Sequence, residues 1–170
     1  MNRTTRFALI AGIALASAGC DQATKHFART TLVAEDSISL LAGVVSFELT
    51  ENRGGFLSLG DELPEWVRLA LFNVGVPVLL VVLAIGAVRI GRLERAQVVG
   101  LALLLGGGVG NGIDRWWRDG AVTDFVRLSL GPVSTGIFNL SDVAIALGVI
   151  LFAFAQRGGR RDGQAPKPSL

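Results

Sequence analysis

The sequence predicts a helical membrane protein with four transmembrane segments and a small β element. Of the 170 residues, 51% are apolar, and the mean hydropathy of +0.53 is high for a soluble protein. Several apolar runs approach the roughly 20 residues that a membrane-spanning helix needs. We therefore predict a single integral membrane domain over residues 1–156. The Gly-, Arg- and Pro-rich segment 157–170 is predicted to be a disordered basic tail.

The first segment, residues 7–25, looks like a secretion signal. Arg3 and Arg6 precede an apolar run, and small residues lead up to Cys20, the one cysteine of the chain. A basic start, a short apolar core and small residues before a cut site are typical of a cleaved signal. Because three further apolar runs follow, which a lipid-anchored protein would not need, we predict an uncleaved first transmembrane helix.

The other three predicted spans are residues 69–88, 96–113 and 137–155, the last of which contains one charge, Asp142. The third span is rich in glycine, which we interpret as close helix packing. Residues 37–50 are rich in β-branched and apolar residues around a glycine, so we predict two short strands around a turn. Residues 61–68, with an acidic start, a proline and a tryptophan, favour an interfacial helix start leading into the second span.

The distribution of Lys and Arg predicts the orientation in the membrane. With the N-terminus inside, the inside segments are residues 1–6, 89–95 and the tail from residue 156. They carry nine basic residues, including Arg92, against two acidic ones, whereas the rest of the chain carries seven basic and twelve acidic residues. This asymmetry favours four spans with both termini in the cytoplasm. The net charge of +2 does not indicate a nucleic-acid partner.

Polar and ionisable residues concentrate at the predicted outer end of the spans, where they mark function because intramembrane charge is costly. The candidates are Asp21 on the first span, Asn111, Asp114 and Arg115 on the third, Asn139 and Asp142 on the fourth, and Asp124 in the loop before the fourth. The alternative interpretation is that these residues form structural ion pairs, in which Arg115 neutralises Asp114 or Asp142. One arginine does not neutralise all of these acids.

Two acids in close contact share a proton near neutral pH, because both cannot ionise easily. Such a pair activates a water with one carboxylate while the other donates a proton to a carbonyl oxygen, which is the chemistry of aspartic proteases. A serine mechanism needs a base beside a serine, and neither Lys25 nor His26 is accompanied by a serine motif. One cysteine and one histidine do not supply the ligands of a zinc site. No metal or other cofactor is expected.

Five short stretches, in this order, resemble the lipoprotein signal peptidase family (signal peptidase II). They are residues 21–25 (DQATK), 52–56 (NRGGF), 110–115 (GNGIDR), 122–125 (VTDF) and 138–142 (FNLSD). Each stretch alone is a weak signal, but together on a four-span frame they are specific. The resemblance covers about residues 6–155.

The resemblance implies a membrane aspartic endopeptidase that removes the signal peptide from diacylglyceryl-modified prolipoproteins. It implies Asp124 and Asp142 as the catalytic pair, and a fold of four transmembrane helices with an outer β-cradle and a short amphipathic helix. The substrate-binding or supporting positions that it implies are Asp21, Lys25, Asn52, Gly54, Asn111, Asp114, Arg115 and Asn139. It also implies a bacterial inner-membrane location with the active site near the outer face. The expected partners are prolipoproteins, bilayer lipids and cyclic peptide antibiotics, and we expect a monomer.

Two positions depart from the family pattern. The stretch 52–56 is one residue shorter before its phenylalanine than the family's Asn-x-Gly-x-Ala-Phe, so the register of Gly54 to Phe56 differs. Ser141 stands where the family more often has alanine, and we expect its hydroxyl to donate a hydrogen bond to Asp142.

Two alternative functions stay open on the sequence. A proton- or ion-coupled transporter would also place acids and an arginine in a membrane, although transporters place them near the midplane and carry repeats. A non-enzymatic lipoprotein or assembly factor would carry a lipid on Cys20.

Overall fold

The computed structural model describes residues 1–32, 37–89 and 93–162, with side chains as far as residue 156. Within these residues it contains four long helices and one antiparallel sheet of four strands. The helices are α1 (Arg3–Thr31), α2 (Glu65–Arg89), α3 (Arg95–Trp117) and α4 (Leu140–Asp162). The strands are β1 (Ser37–Leu40), β2 (Val45–Asn52), β3 (Val122–Leu130) and β4 (Val133–Ser134).

The membrane character of the helices is confirmed. By length and composition, α1, α2 and α3 are able to cross a membrane, while the apolar part of α4, Leu140–Gln156, is shorter. Three spans are thus supported directly, and the fourth stays a prediction. Helix α4 continues to Asp162, so the start of the predicted tail is helical. Residues 163–170 and Arg92 lie outside the described residues.

The helices are longer than the apolar runs that predicted them. Helix α1 extends to Thr31 because polar residues such as Lys25 are buried inside the protein there and do not face lipid. Helix α2 begins at Glu65, directly after Pro64, which agrees with the helix start predicted in residues 61–68. Its turn Leu69–Gly75 is a π-helix, a distortion that is frequent at functional sites.

The sheet has the strand order β1-β2-β3-β4, and all neighbours are antiparallel. The predicted hairpin in residues 37–50 is confirmed as β1 and β2. The placement of Asp124 in a loop is wrong, because Asp124 lies on β3 opposite Thr50 of β2. This pairing joins segments more than 70 residues apart, and local sequence patterns do not report such non-local contacts.

The chain after β4 returns along β3 before it enters α4. The backbone of Phe138 pairs with that of Val126, with N–H···O distances of 2.9 Å in both directions. Helix α4 begins two residues later. This return brings the first turn of α4 next to the start of β3, where Asp124 lies.

Helices α3 and α4 pack with their backbones in close approach at glycine positions. A methyl group on Gly107 would lie 2.5 Å from the carbonyl oxygen of Ser141, and one on Gly100 would lie 2.8 Å from that of Gly148. Small residues permit such contacts between membrane helices. The prediction that glycines serve helix packing is therefore confirmed at these positions. Gly112 differs, because a methyl group there would meet nothing within 4 Å.

We expect Gly107→Ala to destabilise the protein, because the added methyl group forces the start of α4 away from α3. Overpacking of this kind costs about 1–3 kcal/mol. Gly112→Ala is the matched control and should be neutral or slightly stabilising, since alanine has the higher helix propensity. Thermal unfolding in detergent measures both, and equal unfolding temperatures for Gly107→Ala and the parent would contradict the packing argument.

Candidate active site

All ten residues that the sequence predicted for the site are buried in the described structure, and hydrogen bonds and ion pairs link them into one polar cluster. The cluster is formed by the second half of α1, the ends of β2 and α3, the start of β3 and the first turn of α4. Its buried side chains include Asp21, Lys25, Asn52, Asn111, Asp114, Arg115, Asp124, Asn139 and Asp142. Gly54 is buried beside them.

Asp124 is fully buried and accepts a hydrogen bond at each carboxylate oxygen. Nδ2 of Asn52 lies 2.9 Å from its Oδ2, and Nδ2 of Asn139 lies 2.6 Å from its Oδ1. Burial raises the pKa of Asp124 to about 6, and the nearby charge of Asp142 acts in the same direction. The hydrogen bonds from Asn52 and Asn139 and the charge of Lys25 oppose this rise in pKa.

Asp142 lies in the first turn of α4 and is fixed by a capping box. The side chain of Asn139 accepts from the backbone N–H of Asp142 at 3.0 Å, and Oδ2 of Asp142 accepts from the backbone N–H of Asn139 at 3.1 Å. Its other oxygen, Oδ1, accepts from Nδ2 of Asn111 at 3.0 Å. The same residues that begin the helix therefore orient the carboxylate.

Asn139 joins the two acids. Its side-chain amide donates to Asp124, while its backbone N–H donates to Asp142. Asn139 also donates to Oδ1 of Asn111 at 3.1 Å. The structure thus brings together Asp124 and Asp142, which are eighteen positions apart in the sequence, through one intervening residue. Such a pair titrates as a unit.

Lys25 lies at the centre of a second group of charges beside this pair. Its Nζ is 2.8 Å from Oδ2 of Asp21 and 3.4 Å from Oδ2 of Asp114. Asp21 in turn accepts from the backbone N–H of Ser141, and Asp114 accepts from that of Thr123. Asp21 therefore holds the residue just before Asp142, and Asp114 holds the residue just before Asp124.

The expected pairing of Asp114 with Arg115 is wrong. Neighbouring residues on a helix point in different directions, and Asp114 contacts Lys25 and, at 3.8 Å, Arg29. Arg115 instead donates to the carbonyl oxygen of Gly54 at 2.7 Å and lies over the ring of Phe72, 5.2 Å from its centre. The Nε of Arg115 is buried and finds no hydrogen-bond partner in the described part of the chain.

The expected hydrogen bond from Ser141 to Asp142 is also wrong: among residues 1–32, 37–89 and 93–156, the buried Oγ of Ser141 has no hydrogen-bond partner. The contribution of Ser141 to the site comes from its backbone N–H, which donates to Asp21 at 2.9 Å.

Two residues outside the predicted set, Gln22 and Arg29, complete the cluster. Gln22 donates to the carbonyl oxygen of Gly110 at 2.9 Å and to Asp114 at 3.3 Å. Arg29 donates to Oγ1 of Thr123 at 3.0 Å. Gln22 lies three positions before Lys25 on α1 and Arg29 lies four positions after it, and this helical spacing places both beside Lys25. This spacing along the helix is the sequence feature that could have identified Gln22 and Arg29 as members of the site.

A cavity of about 270 Å³ extends from the polar cluster between the apolar faces of α2, α3 and α4. Asn111, Arg115 and Asp142 line one part of it. The remaining lining is apolar and consists of Gly55, Phe56, Phe72, Val76, Leu79, Leu80, Leu83, Leu104, Gly108 and Ile145. The cavity therefore offers apolar volume that leads directly to one acid of the pair.

Comparison with known proteins places this arrangement in a family. Residues 13–156 match the family model described as Signal peptidase (SPase) II. The lipoprotein signal peptidase of Parasynechococcus marenigrum is 39% identical over 132 residues, which cover 78% of each chain. That of Desulforapulum autotrophicum is 35% identical over 150 residues, 88% of this chain and 90% of the relative.

Two solved structures share the fold. A bacterial membrane enzyme matches with a TM-score of 0.80 at 24% identity, covering 94% of both chains. A second bacterial membrane enzyme matches with a TM-score of 0.75 at 26% identity, covering 86% of this chain and 91% of the other. These comparisons support a peptidase and give no support to a transporter. The chain therefore belongs to the signal peptidase II family.

Proposed function

We propose that this membrane peptidase removes the signal peptide from diacylglyceryl-modified prolipoproteins, cutting just before the lipidated cysteine, with Asp124 and Asp142 as the catalytic pair. The observation that carries the proposal is the bridge through Asn139, which joins Asp124 to Asp142, the acid that lines the apolar cavity. The relatives named as lipoprotein signal peptidases support the same activity.

Hydrolysis requires one proton on the pair. The ionised carboxylate takes a proton from water as the water oxygen attacks the scissile carbonyl carbon, while the protonated acid donates to the carbonyl oxygen. The acid that took the proton from water then donates it to the leaving nitrogen as the C–N bond breaks, and the other carboxylate takes back the hydroxyl proton of the tetrahedral intermediate. The pair ends with one proton again. Because the pKa of Asp124 is raised to about 6, a fraction of the molecules carries the carboxylic proton close to neutral pH.

Arg115 is suited to hold the substrate and not to transfer protons, because a guanidinium stays charged. Its buried Nε has no hydrogen-bond partner among the residues that the structure describes, and the side chain lines the cavity beside Asp142. We propose that Nε donates to a carbonyl or ester oxygen of the substrate. Gly54 and Phe72 hold the guanidinium in place for this contact.

The apolar part of the cavity is suited to the lipid or to apolar side chains of the substrate. Its lining residues on α2 and α3 belong to helices that are long and apolar enough to cross a membrane, and its residues on α4 belong to the predicted fourth span. We expect cyclic peptide antibiotics that inhibit the family to compete for this cavity, and we expect the protein to act as a monomer surrounded by bilayer lipids.

We expect Asp124→Asn and Asp142→Asn each to nearly abolish cleavage, because each change keeps the side-chain shape and removes a proton-transfer group. The loss should reach about 10²- to 10⁴-fold, and the double variant should lose little more than one single variant. The assay follows cleavage of a lipidated precursor by the purified protein.

Asp119→Asn is the matched control, because Asp119 is an exposed acid close in sequence to Asp124 and should tolerate the change. The pair is rejected as catalytic if Asp124→Asn or Asp142→Asn folds with the parent's thermal stability and still cleaves at near the parent rate.

The location that we propose is the bacterial cytoplasmic membrane, with both termini in the cytoplasm and the active site near the outer face. The nine-to-two excess of basic residues in the proposed inner segments supports this orientation. Trp116 and Trp117 are 83% and 78% exposed at the site end of α3. Exposed tryptophans favour the membrane–water interface, so they support a site at that depth.

Reporter fusions test the orientation. A reporter after Gly163 should be active as a cytoplasmic protein, and one inserted at Asp61 should be active on the opposite side of the membrane. Reporters on the same side would contradict the four-span arrangement.

A further inference from the structure

We propose that Lys25 is a positioning residue for the reaction, which fixes the side-chain amide of Asn111 so that its Nδ2 donates to Asp142. This inference rests on the proposed function, because it assigns Asp142 to the catalytic pair. Lys25 is fully buried and separated from Asp142 by the Asn111 side chain. It therefore acts through Asn111 and not by contact with substrate.

The hydrogen-bond partners of an asparagine amide determine which way its oxygen and nitrogen point. The partners of Asn111 are compatible with one of the two orientations. An ammonium group carries donors and no acceptor. Nζ of Lys25 lies 2.8 Å from Oδ1 of Asn111, so the amide oxygen faces Lys25. Nδ2 consequently faces Oδ1 of Asp142, at 3.0 Å.

Asn139 supports the same orientation with a weaker donor. Its Nδ2 also donates to Oδ1 of Asn111, at 3.1 Å, and its own amide is fixed because its Oδ1 accepts from the backbone N–H of Asp142. The bond from Lys25 is shorter and charge-assisted, and such bonds are roughly twice as strong as neutral ones. A flipped Asn111 would place its NH₂ group against both donors and its oxygen against Asp142.

With the amide of Asn111 fixed in this orientation, both carboxylate oxygens of Asp142 accept hydrogen bonds. Oδ1 accepts from Asn111, and Oδ2 accepts from the backbone N–H of Asn139. Without Lys25, only the weaker donor Asn139 would keep Asn111 from turning its oxygen toward a protonated Asp142. The geometry of the pair and the position of its proton would then vary between molecules.

The charges that face Lys25 come from every surrounding element. Asp21 on α1 and Asp114 on α3 are in direct contact with Lys25, and Arg29 on α1 contacts Asp114 from the other side. Beyond Asn111 lie the two acids of the pair, on β3 and α4. Since Lys25→Met alone would leave Asp21 without its cation, the test variant is the charge-balanced Lys25→Met/Asp21→Asn. Asparagine at position 21 keeps an oxygen for the N–H of Ser141.

We expect kcat of Lys25→Met/Asp21→Asn to fall by about 10- to 100-fold with KM unchanged, since misplacing a reacting group by about 1 Å costs up to roughly 10² in rate. His26→Gln is the matched control, because His26 is the exposed neighbour of Lys25 on α1 and should keep the parent kcat.

A double-mutant cycle separates positioning from a purely structural role. In an Asn111→Leu background, Lys25→Met/Asp21→Asn should cost less than about threefold further in kcat, because the route through Asn111 is already lost. Full additivity of the two losses would overturn the inference.

Lys25→Arg is the second variant, and it is used if the charge-balanced variant does not fold. Because a guanidinium also lacks an acceptor, it should hold the Asn111 oxygen as Lys25 does, and kcat should stay within about tenfold of the parent. A larger loss of kcat in folded Lys25→Arg contradicts the proposal.

The outcomes also distinguish this inference from the proposed function. If the parent does not cleave a lipidated precursor, or if Asp142→Asn cleaves at the parent rate, the proposed function fails. The role of Lys25 alone fails under a different set of results. In that case the parent cleaves the precursor and Asp142→Asn is inactive, but folded Lys25→Met/Asp21→Asn keeps its kcat within about twofold of the parent.

Discussion

The ion cluster of Lys25 with Asp21 and Asp114 is the interaction on which the rest of the site depends. Taking charges out of water is costly unless they are paired and hydrogen-bonded, and Lys25 and Asp21 are both fully buried. The two acids use their remaining oxygens to hold the backbone N–H groups of Ser141 and Thr123. In this way a contact between α1 and α3 also fixes the start of α4 and the start of β3.

The same cluster determines how many protons the site holds. Asp21, Asp114 and the two acids of the pair face three cations, namely Lys25, Arg115 and the partly exposed Arg29. One proton shared by the pair leaves three negative and three positive charges. A buried cluster with balanced charge is the least costly one. The charge balance of the cluster therefore favours the singly protonated pair that the proposed chemistry uses.

The residues of the site were more predictable from the sequence than its geometry. Apolar runs and a helical period of polar positions were enough to place Asp21, Asn111 and Asp142 at one end of a helical bundle. The strand position of Asp124 was not predictable, because β3 is defined by pairing with β2, which lies far away along the chain. The partners of Arg115 were missed for a related reason: its contacts, Gly54 and Phe72, come from a loop and a π-turn of other elements.

Infrared titration of the purified protein tests the shared proton most directly. As the pH falls through about 6, the account predicts one buried carboxyl group that gains a proton, seen as a protonated-carboxyl band, because the pKa of Asp124 is raised to about 6 and its ionised form is favoured above that pH. The band should be missing in Asp124→Asn. In Asn52→Ala it should appear at a higher pH, because a hydrogen bond to the ionised form is lost. A parent protein without a carboxyl group that titrates near this pH, or an unchanged band in Asp124→Asn, would contradict the account.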